Sequence, residues 1–293
     1  LIKTNAYSSL NDSYNALKYA FETYHYVKKD NDIFNEARIL GRIGELFQLY
    51  GFNTQSREFL DESVNLIMSS DFSKEKRSMY LGNIFAIKGN GYKDDLDCDF
   101  AIKYYDKSIK AYKSSEMNQS ILNNLALVYI EKSNCLIDQQ QLDSAIFYLN
   151  EALFVIKKNN LKEYDQSAKI NLARIHQFKK EYHHSDKILK EILKNINSSQ
   201  PLLIKNQIYK LLAQNAFEQK KYNEYKNYIN LVKKLSNKIE QINYQGKEQS
   251  LNYLLHKDEN ILGKLSFFIL PGILFVVLLT LILWKIYLPN KLN

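Results

Sequence analysis

Three prolines and nine glycines in 293 residues leave too few breakers for a fold of short strands and tight turns. That scarcity points to helices almost throughout, and a hydrophobic content of 45% is enough to give them a core. Only two cysteines are present, Cys98 and Cys135. Neither has a close cysteine or histidine neighbour, so there is no zinc spacing, and a disulfide between them is not the expected state. Arginine is also sparse: Arg38, Arg42, Arg57, Arg77 and Arg174 are five of the 40 basic residues. The net charge of +8 therefore rests on lysines scattered over solvated faces. A compact basic stripe interleaved with stacking aromatics is missing, so direct nucleic-acid binding is not expected.

Chemistry-bearing patterns are missing as well. His25, His176, His183, His184 and His256 are scattered, and the adjacent pair His183 and His184 points in different directions on a helix. There is no nucleophile elbow, glycine-rich phosphate loop or catalytic-lysine motif. Asp95-Leu96-Asp97-Cys98-Asp99 lacks the glycine and distal glutamate of a calcium loop. The expectation is a chain without enzymatic activity, cofactor or bound metal.

What is present is a repeat. Gly44/Phe47, Gly82/Phe85, Ala126/Tyr129, Ala173/His176 and Ala213/Ala216 each place a small residue three positions before an aromatic or its substitute. A second stripe follows at Ser56-Leu60-Ser63, Ala101-Tyr105-Ser108, Ala145-Leu149-Ala152, Ser185-Leu189-Ile192 and Tyr225-Ile229-Val232, with Ala16-Ala20-Thr23 alone at the front. Residues three and four apart share a helix face. Each unit is thus a helical hairpin with one narrow contact face, which cannot bury its stripe alone and must stack on its neighbours into a solenoid. The expected hairpins are 5–30 (incomplete), 35–70, 75–115, 118–159, 162–197 and 201–235. In the third and fourth the gap between stripes grows from 12 to 19 residues, from Gly82 to Ala101 and from Ala126 to Ala145. The extra seven residues, about two helical turns, are expected to form a loop over Gly89-Asn90-Gly91 and the acidic run Asp94, Asp95, Asp97 and Asp99. In the fourth hairpin, Ser133-Asn134-Cys135-Leu136-Ile137 is expected to lengthen both helices.

The order small residue, aromatic, glycine closing the first helix (Gly51, Gly89), then alanine, leucine or aromatic, alanine resembles the tetratricopeptide repeat over roughly residues 5–235. Gly44 to Gly51 and Ala145 to Leu153 are the nearest stretches; Tyr225 departs from it by replacing the alanine. The resemblance implies an all-α, tetratricopeptide-like right-handed superhelical solenoid, non-catalytic, whose first helices line a concave protein- or peptide-binding face. Counting from the anchors places Arg38, Arg42, Glu45 and Gln48 there, then Lys76, Tyr80 and Asn83, then Asn123, Asn124 and Leu127, then Asn171, Arg174 and Gln177, then Lys210 and Gln214. Arginine offers a planar fork for carboxylates, and asparagine can bridge the N–H and C=O of an extended peptide. The carboxylate clamp of chaperone-binding relatives is matched only at Asn83 and Asn124, so a chaperone tail is not the expected partner.

From Leu265 to Trp284 runs an uncharged stretch of 20 residues, long enough to cross a hydrocarbon core of roughly 30 Å. Trp284 and Tyr287 suit an interfacial belt, bracketed by Lys264 and Lys285. The expected organisation is a repeat domain (1–235), a capping and juxtamembrane helix (236–263), a transmembrane helix (264–287) and a short tail (288–293). Local basic residues do not decide the orientation: Lys257 and Lys264 precede the span, Lys285 and Lys291 follow it. The layout resembles the sensor half of membrane-anchored bacterial regulators, in which an extracytoplasmic, periplasmic array is followed by one span and a helix-turn-helix or histidine-kinase module. That resemblance makes the lipid bilayer and a groove-bound protein or peptide the expected partners, with a homodimer through the juxtamembrane helix also open. A tail-anchored cytosolic adaptor and an envelope assembly scaffold are the alternatives.

Overall fold

The computed structural model describes residues 1–196 and 202–256, and every regular element among them is a helix. The helices pair in sequence order into six hairpins: α1 (Ile2–Ser9) with α2 (Ser13–Lys29), α3 (Ile33–Leu49) with α4 (Asn53–Ser69), α5 (Lys74–Asp94) with α6 (Cys98–Lys113), α7 (Gln119–Asp138) with α8 (Leu142–Asn159), α9 (Lys162–Phe178) with α10 (Tyr182–Asn195), and α11 (Leu202–Glu218) with α12 (Tyr222–His256). Each hairpin packs on the next, as a solenoid requires.

The turns inside the hairpins are copies of one another. Asn11, Gly51, Leu96, Gln140, Lys180 and Lys220 all sit at positive φ, between 57° and 80°. The following N–H in each turn donates back to the carbonyl five residues earlier, for example Phe52 to Phe47 and Asp97 to Tyr92, at 2.8–3.0 Å. This bond satisfies a carbonyl left open at the helix end. Glycine is the residue suited to that conformation, yet only Gly51 supplies it. Asp12 and Asp97 then cap the second helices of their hairpins by accepting the N–H of Asn15 and Phe100, and Asp32, Ser73 and Asn118 cap the first helices α3, α5 and α7 in the same way.

These turns correct the register of the longer hairpins. Gly44, Ala173 and Ala213 each stand seven residues before their turn residue, and in α5 and α7 that place belongs to Gly89 and Ser133, not to Gly82 and Ala126. With those anchors the gap to the second stripe is 12 residues in every hairpin, and no seven-residue insertion separates the stripes. The additional residues lengthen the starts of α5 and α7 instead. Seven residues make nearly two turns, so both small residues lie on the same face and the pattern alone could not choose between them. Gly89 is therefore buried inside α5 and closes nothing. Its missing side chain is what lets α6 approach: a Cβ there would lie 2.5 Å from the ring of Tyr105, just as one at Gly44 would lie 2.6 Å from Leu60. Gly82 meets Tyr112 in the same manner one face-repeat earlier.

Two further expectations are revised. Cys98, the first residue of α6, is disulfide-bonded to Cys135 in α7, with a Cα–Cα distance of 5.3 Å. Stacking of the third hairpin on the fourth brings together residues 37 apart in sequence, a proximity that linear spacing does not encode. The acidic run is not a loop: Asp94 ends α5, Asp97 caps α6 and Asp99 lies in its first turn.

The expected division at residue 235 is not marked by a break, because α12 continues for 35 residues, about 50 Å. Nor does its second half cap the last hairpin. It reaches the first one. Ser13 Oγ donates to the Gly246 carbonyl at 2.6 Å, and the Ser13 N–H donates to Gln249 Oε1 at 3.2 Å. Tyr253 stacks on Phe21 and meets Tyr14 edge-on, and Leu254 joins the core formed by Ala16, Leu17, Ala20, Ile43 and Phe47. The two ends of the array are thereby joined. Among the described residues no helix is long and apolar enough to cross a membrane; the expected span Leu265–Trp284 lies outside them.

Two substitutions check the register. Gly89→Val is expected to destabilise the protein by about 1–3 kcal/mol or more, because the buried Tyr105 ring has nowhere to move. Leu96→Gly is expected to stabilise it by about 1 kcal/mol, since it relieves a left-handed leucine that is 93% exposed. Thermal unfolding of the two variants against the parent reads both signs.

Candidate functional site: the inner wall of the array

The curvature identifies the inner wall. α3 touches α5, α5 touches α7, α7 touches α9 and α9 touches α11, whereas no comparable packing joins α4, α6, α8 and α10 to one another. First helices that meet their second neighbours must lie on the shorter radius, so they form the concave face.

Much of that face is already paired along its length. Gln48 donates to Asp94 at 2.6 Å, linking α3 to α5. Lys93 meets Glu131 at 2.6 Å, linking α5 to α7. Arg174 donates to Asn134 and Asp138, linking α7 to α9. Gln177 donates to Asn215 at 2.6 Å, linking α9 to α11. Burial works against the charge on Lys93, but Glu131 outweighs it and holds the ammonium above its usual range. Asp94, also partly desolvated, is pushed up. Beside the groove, Asp95 is held low despite some desolvation because Asn53 and Arg57 both donate to it.

The expected ligand-facing residues divide accordingly. Arg42 pairs with Glu45 one turn along its own helix. Arg38 and Lys76 are exposed and lie over the Phe34 ring, and Tyr80 packs edge-on against the same ring. Asn83 accepts from Tyr112 at 2.7 Å and from Asn124 at 3.0 Å. Asn123 accepts from Gln119. Lys210 and Gln214 are exposed. Two expectations fail. Asn171 is buried, donating to the Ile130 carbonyl and to Ser133, and Gln177 is buried against α11. Both amides are occupied in holding hairpins together. Arg174 is likewise a link between hairpins, so its removal disturbs stacking as well as the groove surface.

The sequence reading overlooked an apolar end to this wall. Phe178 and Phe217 are 41% and 52% exposed on consecutive first helices. Phe178 lines an open cleft of about 240 Å³ with Gln177, Lys180, Tyr182, Gln214 and Glu218, whereas the Phe217 ring lies against Tyr222 and Tyr225 of α12. The signal was present, since Phe178 stands five residues after Ala173 and Phe217 four after Ala213, but without the turn geometry those offsets had no face assigned. A second overlooked pattern is structural. The position just before the anchor is Ile43 in α3 and Leu212 in α11, yet Lys88 and Lys132 fill it in α5 and α7. Each lysine is buried along its stem, pairs with the carboxylate of the preceding hairpin's second helix (Asp61, Asp106) and lies over an aromatic of its own (Tyr104, Tyr148). The carboxylates stay more than half exposed, which lets the charge reach water.

Among the described residues no group of histidine, cysteine, aspartate and glutamate is arranged to hold a metal ion. No protein-family model matches the chain, and no curated protein matches it. Its structure is similar to those of other proteins. The apo form of RapI aligns with a TM-score of 0.60 at 11% identity over 86% of this chain and 72% of that one. BtubC (BKLC) from P. vanneervenii aligns with a TM-score of 0.56 at 10% identity over 76% and 91%. The nearly identical TPR-like repeats of a putative kinesin light chain from Podosopora anserina align at 0.47 and 14% identity over 69% and 95%. At such identities the likeness concerns fold alone, and the fold is a tetratricopeptide-like helical solenoid.

Asn171→Ala is expected to cost about 1–3 kcal/mol, leaving the buried Ser133 hydroxyl and Ile130 carbonyl without their donor. Asn123→Ala, on the exposed side of the same wall, should stay within about 0.5 kcal/mol. Denaturant unfolding midpoints of the two variants distinguish the buried link from the surface residue.

Proposed function

We propose that this array is the protein- or peptide-binding part of a membrane-anchored signalling regulator, without catalytic activity of its own. It is held to the bilayer through Leu265 to Trp284, with the repeats outside the cytoplasm. The observation that carries the binding assignment is the contrast along the inner wall. Its charged groups are largely satisfied by one another, while Phe178 presents an apolar ring to solvent beside the exposed amide of Gln214 and the ionic groups Lys180 and Glu218. Aromatic anchors flanked by polar groups are what a bound segment buries most favourably. The partner that fits is a peptide or helix with an apolar anchor for the α9–α11 end and polar groups for the charged middle.

The compartment is supported by the Cys98–Cys135 disulfide, since such bonds persist in oxidising surroundings and are rare in the cytosol. The anchor is supported by the uncharged 20-residue stretch, toward which α12 leads in sequence.

A photo-reactive side chain at Gln214 is expected to yield adducts in intact membranes, whereas one at Lys110 on the outer helix α6 yields none. Phe178→Ala should reduce the Gln214 adducts by more than about tenfold without changing helicity. Equal labelling from both positions would remove the groove assignment. In the same membranes, Cys98 and Cys135 should resist a thiol reagent until reduced, and Leu278→Lys with Leu279→Lys should release the protein from the membrane fraction. Freely reactive thiols would place the repeats in the cytosol.

A further inference from the structure

α12 makes contacts at both ends of its length and few between them. Its first half belongs to the last hairpin, where Tyr228 stacks on Tyr209 and Ser236 donates to Asn206 at 3.4 Å. Its final turns lie on the first hairpin through Gly246, Gln249, Tyr253 and Leu254. Between them, residues 240–245 are all exposed, Ile242 and Tyr244 included. A continuous helix transmits displacement along its axis, so the second contact reports the position of the last hairpin relative to the first.

That position is set by the curvature of the array. Each hairpin otherwise touches only near neighbours, and small rotations between them accumulate along a solenoid. On the inner wall the rotations are restrained by the side-chain pairs Gln48–Asp94, Lys93–Glu131 and Arg174–Asp138. A segment that enters the groove and recruits those groups must separate partners that now satisfy each other. Adjacent first helices then shift, and the shift reaches the end of α12.

We infer that the last turns of α12 are a latch on the first hairpin whose closure is coupled to the pairing of the inner wall, so that occupation of the groove releases residues 246–256. This rests on the reading of the concave face as a partner site and adds its regulation. Ser13 holds the helix backbone itself, its hydroxyl donating to the Gly246 carbonyl. The contact is partly polar, with Ser13 bonded to Gly246 and Gln249 beside the buried Tyr253 and Leu254. The released segment leads in sequence toward Leu265–Trp284, giving the groove a route to the bilayer.

The test needs no partner, so its outcome is independent of the cross-linking result. Amide hydrogen exchange is measured on the full chain in detergent micelles. Tyr253→Ala, which breaks the latch directly, sets the exchange of the open state at residues 246–256. Lys93→Met and Asp138→Ala each remove one inner-wall pair whose side chains lie outside the seat of the latch on α2 and the end of α3. Both are expected to accelerate exchange at 246–256 by at least about fivefold, toward the Tyr253→Ala value. Coupling is reciprocal, so Tyr253→Ala should in turn accelerate exchange in the last turns of α5. Wild-type exchange at 246–256 in both wall variants would overturn the latch.

Discussion

The close approach of two helices at a small residue is the constraint on which the rest of this structure depends. Gly44 against Leu60 and Gly89 against Tyr105 bring backbone and side chain so near that a single added carbon would collide. Everything downstream inherits that register. It places the turn seven residues later, the second stripe twelve residues later and the inner-wall positions on the first helix. It also gives the second-helix hydroxyls of Ser63 and Ser108 their partners, the carbonyls of Ala37 and Gly82, at 2.7 Å. A repeat built on contacts this tight tolerates wide variation elsewhere, which explains how likeness of fold persists at 10% and 11% identity.

Polar chemistry takes over where the apolar stripe is interrupted. In a uniform repeat the position before the anchor would be aliphatic throughout. Lys88 and Lys132 instead carry charges through two adjacent interfaces, and the cost of desolvating their ammonium groups is offset by a carboxylate at the solvent edge and an aromatic face beside it. Similar logic fills the inner wall with amide and ionic pairs. Such pairs define the spacing between hairpins more narrowly than apolar contact does, because hydrogen bonds are directional. The Cys98–Cys135 bond ties the same central pair of hairpins covalently. The apolar, unpaired part of the wall is displaced toward α9 and α11, which concentrates the surface available to a partner at one end.

The joined ends change what kind of object the solenoid is. An open array bends by small increments, each hairpin answering to its neighbours. With α12 returning to α2, bending anywhere is opposed at one distant contact, and a change in that contact is felt throughout. A long, uninterrupted final helix is what makes this geometry available.

The all-α class, the order of the hairpins and the second stripes of α4, α6, α8 and α10 were legible in the sequence because they rest on local periodicity: small residues recur at helical spacing, and breakers are too scarce for anything else. The stripe Tyr225-Ile229-Val232 was not a buried one, since Ile229 is exposed on α12. The uncharged stretch from Leu265 to Trp284 is likewise a property of the sequence alone. The choice between Gly82 and Gly89 was not legible, since seven residues return a helix to nearly the same face and only the position of the turn separates them. Asn171 and Gln177 looked like ligand-facing amides because counting along one helix cannot register how closely the next helix approaches. The disulfide across 37 residues and the seat of Tyr253 on the first hairpin are properties of stacking. Sequence periodicity determines which face of each helix is buried; the distance between faces, and therefore which residues meet across the array, is decided only when all the hairpins are packed together.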